Sequence, residues 1–134
     1  MLRLNRLTDY ACTLMQYLAR QQEIQKAADI AQTMQLNLPT VNKILKQLVK
    51  AGLVQSQQGA NGGYALARPA TQITLMDIIN ATEDSFGLTC CTRDESCERQ
   101  TICDMKQNWN QTNQLISKML KNIRLADWER HSKH

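Results

Sequence analysis

Aromatic side chains are scarce in this sequence of 134 residues: two Trp, three Tyr and one Phe make up 4% of it. A core assembled with so few of them rests on Leu, Ile, Met and Ala, a set that favours helix over sheet. Also missing is any apolar run approaching the roughly 20 residues that cross a bilayer. Met1 to Tyr10 carries Arg3, Arg6 and Asp9 where a secretory leader needs its apolar stretch. A cytoplasmic protein without a membrane partner is therefore expected. No Cys-x-x-Cys occurs, and the two histidines, His131 and His134, lie in the tail far from every cysteine. Thiol oxidoreductases need the first, and an activated cysteine nucleophile needs a nearby base, so no enzyme is expected.

The charge that is present is unevenly placed. Residues 1–70 hold eight Lys/Arg against three Asp/Glu, whereas residues 71–134 hold eight against nine. The formal net charge of +4 thus belongs to the first half, as a polyanion-binding module requires. A chain of this length builds one compact core rather than two full domains. The five cysteines, Cys12, Cys90, Cys91, Cys97 and Cys103, are an odd number, which argues against a disulfide framework.

Apolar periodicity predicts the elements of the first half. Thr8 is read as the cap of a helix to about Arg20, with Ala11, Leu14, Met15 and Leu18 on one face. A short second helix carries Ala27, Ile30, Ala31 and Met34. A third starts at Asn37-Leu38-Pro39 and runs to about Lys50, with Gly52 just past its end. Its core face is Val41, Ile44, Leu45 and Leu48, which leaves Thr40, Asn42, Lys43, Lys46 and Gln47 for solvent or a ligand. Leu53-Val54 and Tyr64-Ala65-Leu66 are strand candidates flanking a polar loop with Gln58 and Asn61. Helix, short helix, helix and hairpin make a winged helix-turn-helix over residues 1–70, whose third helix is expected to enter the major groove of double-stranded DNA. Thr40, Asn42 and Lys43, then Lys46 and Gln47, are the candidate base contacts; Arg3, Arg6, Gln58 and Asn61 are candidates for the backbone or a minor groove.

The expected architecture is mainly α with a small β wing, followed by a long C-terminal dimerisation helix. Thr74 and Asp77 have the spacing of a capping box for a short helix. Residues 71–103 join that helix to a cysteine-rich loop. The last helix is predicted from Asp104 to Arg124, within a segment 104–126, ahead of a polar tail 127–134. Met105, Trp109, Thr112, Ile116, Met119 and Ile123 recur at steps of four and three, and Leu115 and Leu120 widen the stripe. A coiled-coil-like stripe of that length is read as a homodimer interface, and two-fold pairing implies a palindromic operator.

Cys91, Cys97 and Cys103 are separated by two gaps of five residues. Three thiolates so spaced can converge on one soft centre, either an iron–sulfur cluster or zinc. The spacing fits neither a zinc-finger pair nor a ferredoxin run, and Cys90 is an accessory because it adjoins Cys91. A zinc-stabilised interaction module stays open at this point.

The segments Leu7-Thr8-Asp9-Tyr10, Leu45 to Val54 (LKQLVKAGLV) and Gly59 to Pro69 (GANGGYALARP), the three-cysteine loop and the closing Leu125-Ala126-Asp127 resemble the Rrf2 family of bacterial transcription regulators. Within it, the opening MLRLNRLTDY and the Cys90-Cys91 pair are most similar to the subgroup that regulates SUF-type iron–sulfur assembly genes. The resemblance implies a homodimeric winged-helix repressor whose iron–sulfur cluster tunes DNA binding, with Cys91, Cys97 and Cys103 as ligands. In one branch the fourth ligand is a histidine three residues after the last cysteine; that position is Lys106 here. In the nitric-oxide-sensing branch it is an aspartate at the head of helix one from the other subunit, and Asp9 matches it. A [4Fe-4S] cluster with Asp9 in trans is favoured over [2Fe-2S], and nitric-oxide or redox sensing is the alternative signal. Asp9 also has a plainer role, because a carboxylate in the first turn is stabilised by the free N–H groups there.

Overall fold

In the computed structural model, residues 5–83 and 105–129 are described. The first helix, α1, spans Arg6–Arg20 and buries Ala11, Leu14, Met15 and Leu18 along one side. Its cap is Asn5, three residues ahead of the predicted cap, Thr8. The Asn5 Oδ1 accepts the Thr8 N–H at 2.7 Å, which takes Thr8 into the first turn, where it is fully buried. Helix α2 spans Ala27–Met34 and ends on Gln35, whose left-handed backbone (φ 56) reverses the chain sharply. Leu36 N–H returns to Ala31 O at 3.0 Å. Helix α3, Leu38–Lys50, follows after Asn37, whose Oδ1 caps the Thr40 N–H at 2.8 Å. Pro39 sits in the first turn, where its missing N–H is harmless.

Past Gly52 (φ 78) the chain enters strand β1, Val54–Gln57, which pairs antiparallel with β2, Gly63–Leu66, in the register Val54 to Leu66 and Gln57 to Gly63. Both strands reach further into the predicted loop than periodicity suggests, because ladder bonds need no apolar side chain. Gln25 adds a one-residue third strand: its N–H bonds Tyr64 O at 2.9 Å, and Tyr64 N–H bonds Gln25 O at 2.8 Å. That approach demands glycine at position 63, where a Cβ would lie 2.5 Å from Gln25 O.

A 3-10 turn over Ala70–Gln72 leads into α4, Leu75–Thr82, which opens with the expected capping box between Thr74 and Asp77. Helix α5 spans Lys106–Asn122 and stops short of its predicted end at 124. Arg124 instead forms a bridge with Thr74, flanked by Leu75 N–H to Ile123 O and Leu125 N–H to Ile73 O, each 2.8 Å. A short α6, Leu125–Glu129, follows, and its Leu125 is buried. One core joins α1, α2 and α3 to Leu53, Val54, Ile73, Ile78 and Leu125. Each fully buried aliphatic side chain in it contributes about 1.5–3 kcal/mol of transfer free energy. The fold is mainly α with a small β wing and a long C-terminal helix, as the sequence pattern predicts.

Helix α5 presents two rows. Trp109, Asn113, Ile116, Leu120 and Ile123 are half-buried, on an element that packs against α4. Met105, Thr112, Leu115 and Met119 stay exposed, Leu115 at 62% and Met119 at 66%. The single predicted stripe is therefore divided between the chain's own body and solvent.

Candidate nucleic-acid interface

Burying Val41, Ile44, Leu45 and Leu48 fixes the rotation of α3 and turns Asn42, Lys43, Lys46 and Lys50 outward. Thr40 and Gln47 flank the buried row and are half-buried, and Gln47 Oε1 is enclosed without a hydrogen-bond partner. Strand alternation places Ser56 and Tyr64, a register pair, on the face of Val54 and Leu66, which turns toward α3. A hollow of about 320 Å³ lies between them, lined by Asn42, Lys46, Val49, Ser56 and Tyr64. Beyond it the wing tip carries Gln58 and Asn61, both exposed, around Gly59 (φ 107). The exposed α3 residues and the wing thus form one basic, concave face.

Of the other predicted site residues, Arg6 lies elsewhere. It opens α1, about three turns from Tyr17, whose hydroxyl donates to Gln25 Oε1 beside the wing root. Arg3 and Cys90, Cys91, Cys97 and Cys103 lie outside the described residues. Among the described residues no group of three His, Cys, Asp or Glu gathers as a metal site.

Asp9 is exposed in the first turn of α1. Its charge, after burial as the larger cause, pushes the half-buried Cys12 thiol up to about 11. A polar clasp that sequence periodicity does not reveal sits at the same end of the molecule. Thr8 Oγ1 lies 2.7 Å from Thr82 Oγ1 and 3.0 Å from Glu83 Oε1, and Glu83 Oε1 accepts the Asn5 N–H at 2.8 Å. Glu83 directly precedes the segment that bears the cysteines. The clasp thus ties the head of α1, with Asp9, to the end of α4.

The Rrf2 family profile, described as an iron-dependent transcriptional regulator, matches residues 4–130. Protein aau3 of Rhizobium meliloti strain 1021 is 40% identical over 91 residues, 67% of this chain and 59% of that protein. The HTH-type transcriptional regulator IscR of Yersinia pseudotuberculosis is 33% identical over 100 residues, 75% of this chain and 61% of its own. The chain spans about three-fifths of the length of these curated relatives. Among solved structures, CymR, the global cysteine regulator of B. subtilis, superposes with a TM-score of 0.78 at 27% identity, covering 99% of this chain and 100% of that one. IscR of T. potens gives 0.75 at 28% identity, covering 98% and 89%.

Proposed function

The chain belongs to the Rrf2 family, and on that premise we propose that it is a DNA-binding transcriptional repressor, governed by an iron–sulfur cluster, of SUF-type iron–sulfur assembly genes. The observation that carries the DNA-binding reading is the outward row Asn42, Lys43 and Lys46 on a helix whose rotation the core fixes beside a wing. Asn and Lys at the start of such a helix offer donors and acceptors to base edges, with Thr40 beside them and Gln47 one turn further on. Gln58 and Asn61 would reach phosphate or a minor groove from the wing, and Arg3 and Arg6 the backbone from the other end of α1. The exposed row of α5, Met105, Thr112, Leu115 and Met119, would pair with its copy in a homodimer that reads a palindrome. On this reading residues 1–70 bind DNA, 71–103 carry the sensor and 104–126 the dimer contact, with a polar tail at 127–134.

The donor chemistry suits an iron–sulfur cluster. Cys91, Cys97 and Cys103 are soft thiolate donors, and Asp9 has an exposed carboxylate without a described hydrogen-bond partner, free to ligate in the other subunit. A [4Fe-4S] cluster is preferred to [2Fe-2S] because Asp9 stands where the resemblance to the nitric-oxide-sensing branch puts the fourth ligand. When bound, such a cluster would supply a link among Cys91, Cys97, Cys103 and Asp9 that is sensitive to oxidation or nitric oxide. The clasp of Asn5, Thr8, Thr82 and Glu83 would pass a change in the cysteine segment to the head of α1. A shift of about 1–3 kcal/mol between two arrangements alters affinity by roughly 5- to 150-fold.

Anaerobic purification followed by ultraviolet-visible spectroscopy and operator selection tests the reading. Expected are a brown protein, a palindromic operator, and an altered spectrum in Asp9→Ala. In Lys43→Gln, specific affinity is expected to fall about 5- to 150-fold, while affinity for unrelated duplex falls less. A colourless zinc protein without operator preference would overturn it.

A further inference from the structure

A second hollow, of about 310 Å³, adjoins the one beside α3. It is lined by Lys26 and Ala27 at the start of α2, by the wing loop from Gln57 to Gly59 with Ala60, Gly62 and Gly63, and again by Ser56 and Tyr64. Ser56 and Tyr64 line both hollows, so the two meet at that pair and together make a trough. Lys46 stands at one end and Lys26 at the other. No acidic residue lines either hollow, and neither lysine forms an ion pair with a described residue. The Tyr64 backbone is held by both of its bonds to Gln25, while the hydroxyls of Tyr64 and Ser56 have no hydrogen-bond partner among the described residues.

We propose that this trough seats one sugar-phosphate strand of the DNA duplex, with Lys26, Ser56 and Tyr64 as phosphate contacts and Lys46 where the strand meets α3. The inference rests on the DNA-binding reading above and extends it to three residues outside its candidate set. A helix in the major groove and a wing tip in the adjacent minor groove must straddle the strand that separates the two grooves. The surface between helix and wing therefore has to accept a polyanionic ridge, and this one offers two cations and two free hydroxyls without a carboxylate. Hydroxyl and ammonium donors are the usual partners of phosphate oxygens and carry no base preference. The trough sets grip and register, and α3 sets sequence.

The test uses the full chain and a mixed-sequence duplex of about 30 base pairs, with affinity followed by fluorescence anisotropy from about 50 to 200 mM salt. Lys26 is exposed, so Lys26→Gln is expected to leave the fold intact, which thermal melts check. Lys26→Gln is expected to reduce the slope of log affinity against log salt by about 0.9, the loss of one neutralised phosphate. Ser56→Ala combined with Tyr64→Phe, which keeps the ring, is expected to weaken binding about 3- to 10-fold with the slope unchanged. Lys118→Gln on α5 serves as a control and is expected to change neither. If the unsubstituted chain binds with a steep slope and Lys26→Gln matches it, or Lys118→Gln loses as much slope, the trough assignment is wrong while DNA binding stands. If the unsubstituted chain binds no duplex, both are overturned.

Discussion

Asn5 and Thr8 illustrate how a residue's role is settled by partners far along the chain. Both are good helix caps by type, and the sequence pattern favours Thr8 because the apolar periodicity begins just after it. The structure instead places Thr8 inside, where its hydroxyl meets Thr82 and Glu83, and Asn5 takes the cap. No local rule contains a partner 78 residues away. Cys12 is a similar case: its helical position is legible, its chemistry is not. With its thiol pushed up to about 11 by burial and by Asp9, peptide-resolved alkylation of Cys12 is expected to be slow at pH 8. The rate should climb toward an apparent value near 11, and Asp9→Asn should lower that value. The sign for stability follows from linkage. A thiol raised on folding contributes stabilisation that is complete below its ordinary value of 9.0 and lost as pH rises toward 11. An alkylation profile centred on an ordinary thiol value would contradict the burial argument.

At the level of elements, the ends marked by short-range chemistry were the readable ones. Asn37 ahead of Pro39, Gly52 behind α3 and the Thr74/Asp77 box all stand where the sequence puts them. The ends set by distant pairing were not. Nothing local stops α5 at Asn122; it stops because the next residues pair with Ile73 to Leu75. The same gap explains why the apolar stripe of α5 looked single. Periodicity counts apolar positions, whereas packing against α4 selects Trp109, Ile116 and Leu120 and leaves Leu115 and Met119 outside. Replacing both exposed residues, Leu115→Lys with Met119→Lys, is expected to change the unfolding free energy of the monomer by no more than about 0.5 kcal/mol per site. Analytical ultracentrifugation should then show monomer. A dimer of undiminished strength would move the interface off this row.

For the molecule as a whole, the segments divided by sequence pattern share a single core. Leu125, near the far end of the described chain, shares one buried cluster with Leu14 and Ile44 of the basic half. Leu125→Ala is therefore expected to destabilise the entire fold by about 2–5 kcal/mol, seen as one shifted unfolding transition in urea whether helix or Trp fluorescence is followed. Two separated transitions would show that the C-terminal part folds independently. The uneven charge of the halves was legible from composition alone. That the basic half is stitched to Ile73, Ile78 and Leu125 was not, since hydrophobic partners carry no address in sequence. The cysteine spacing was equally plain in the sequence, but its residues fall outside those described.

The bridge between Gln25 and the wing bears on how recognition is divided between enthalpy and order. Ladder bonds on both sides of β2 hold the root of the hairpin to the body of the chain, so only residues 58–62 lie outside the ladder, and even there Gly62 N–H bonds Gly59 O at 3.1 Å. Immobilising a backbone position costs about 1–2 kcal/mol, and a hairpin left wholly loose would add eight strand residues to that toll. A wing mounted in advance meets its target with most of its entropy already surrendered during folding.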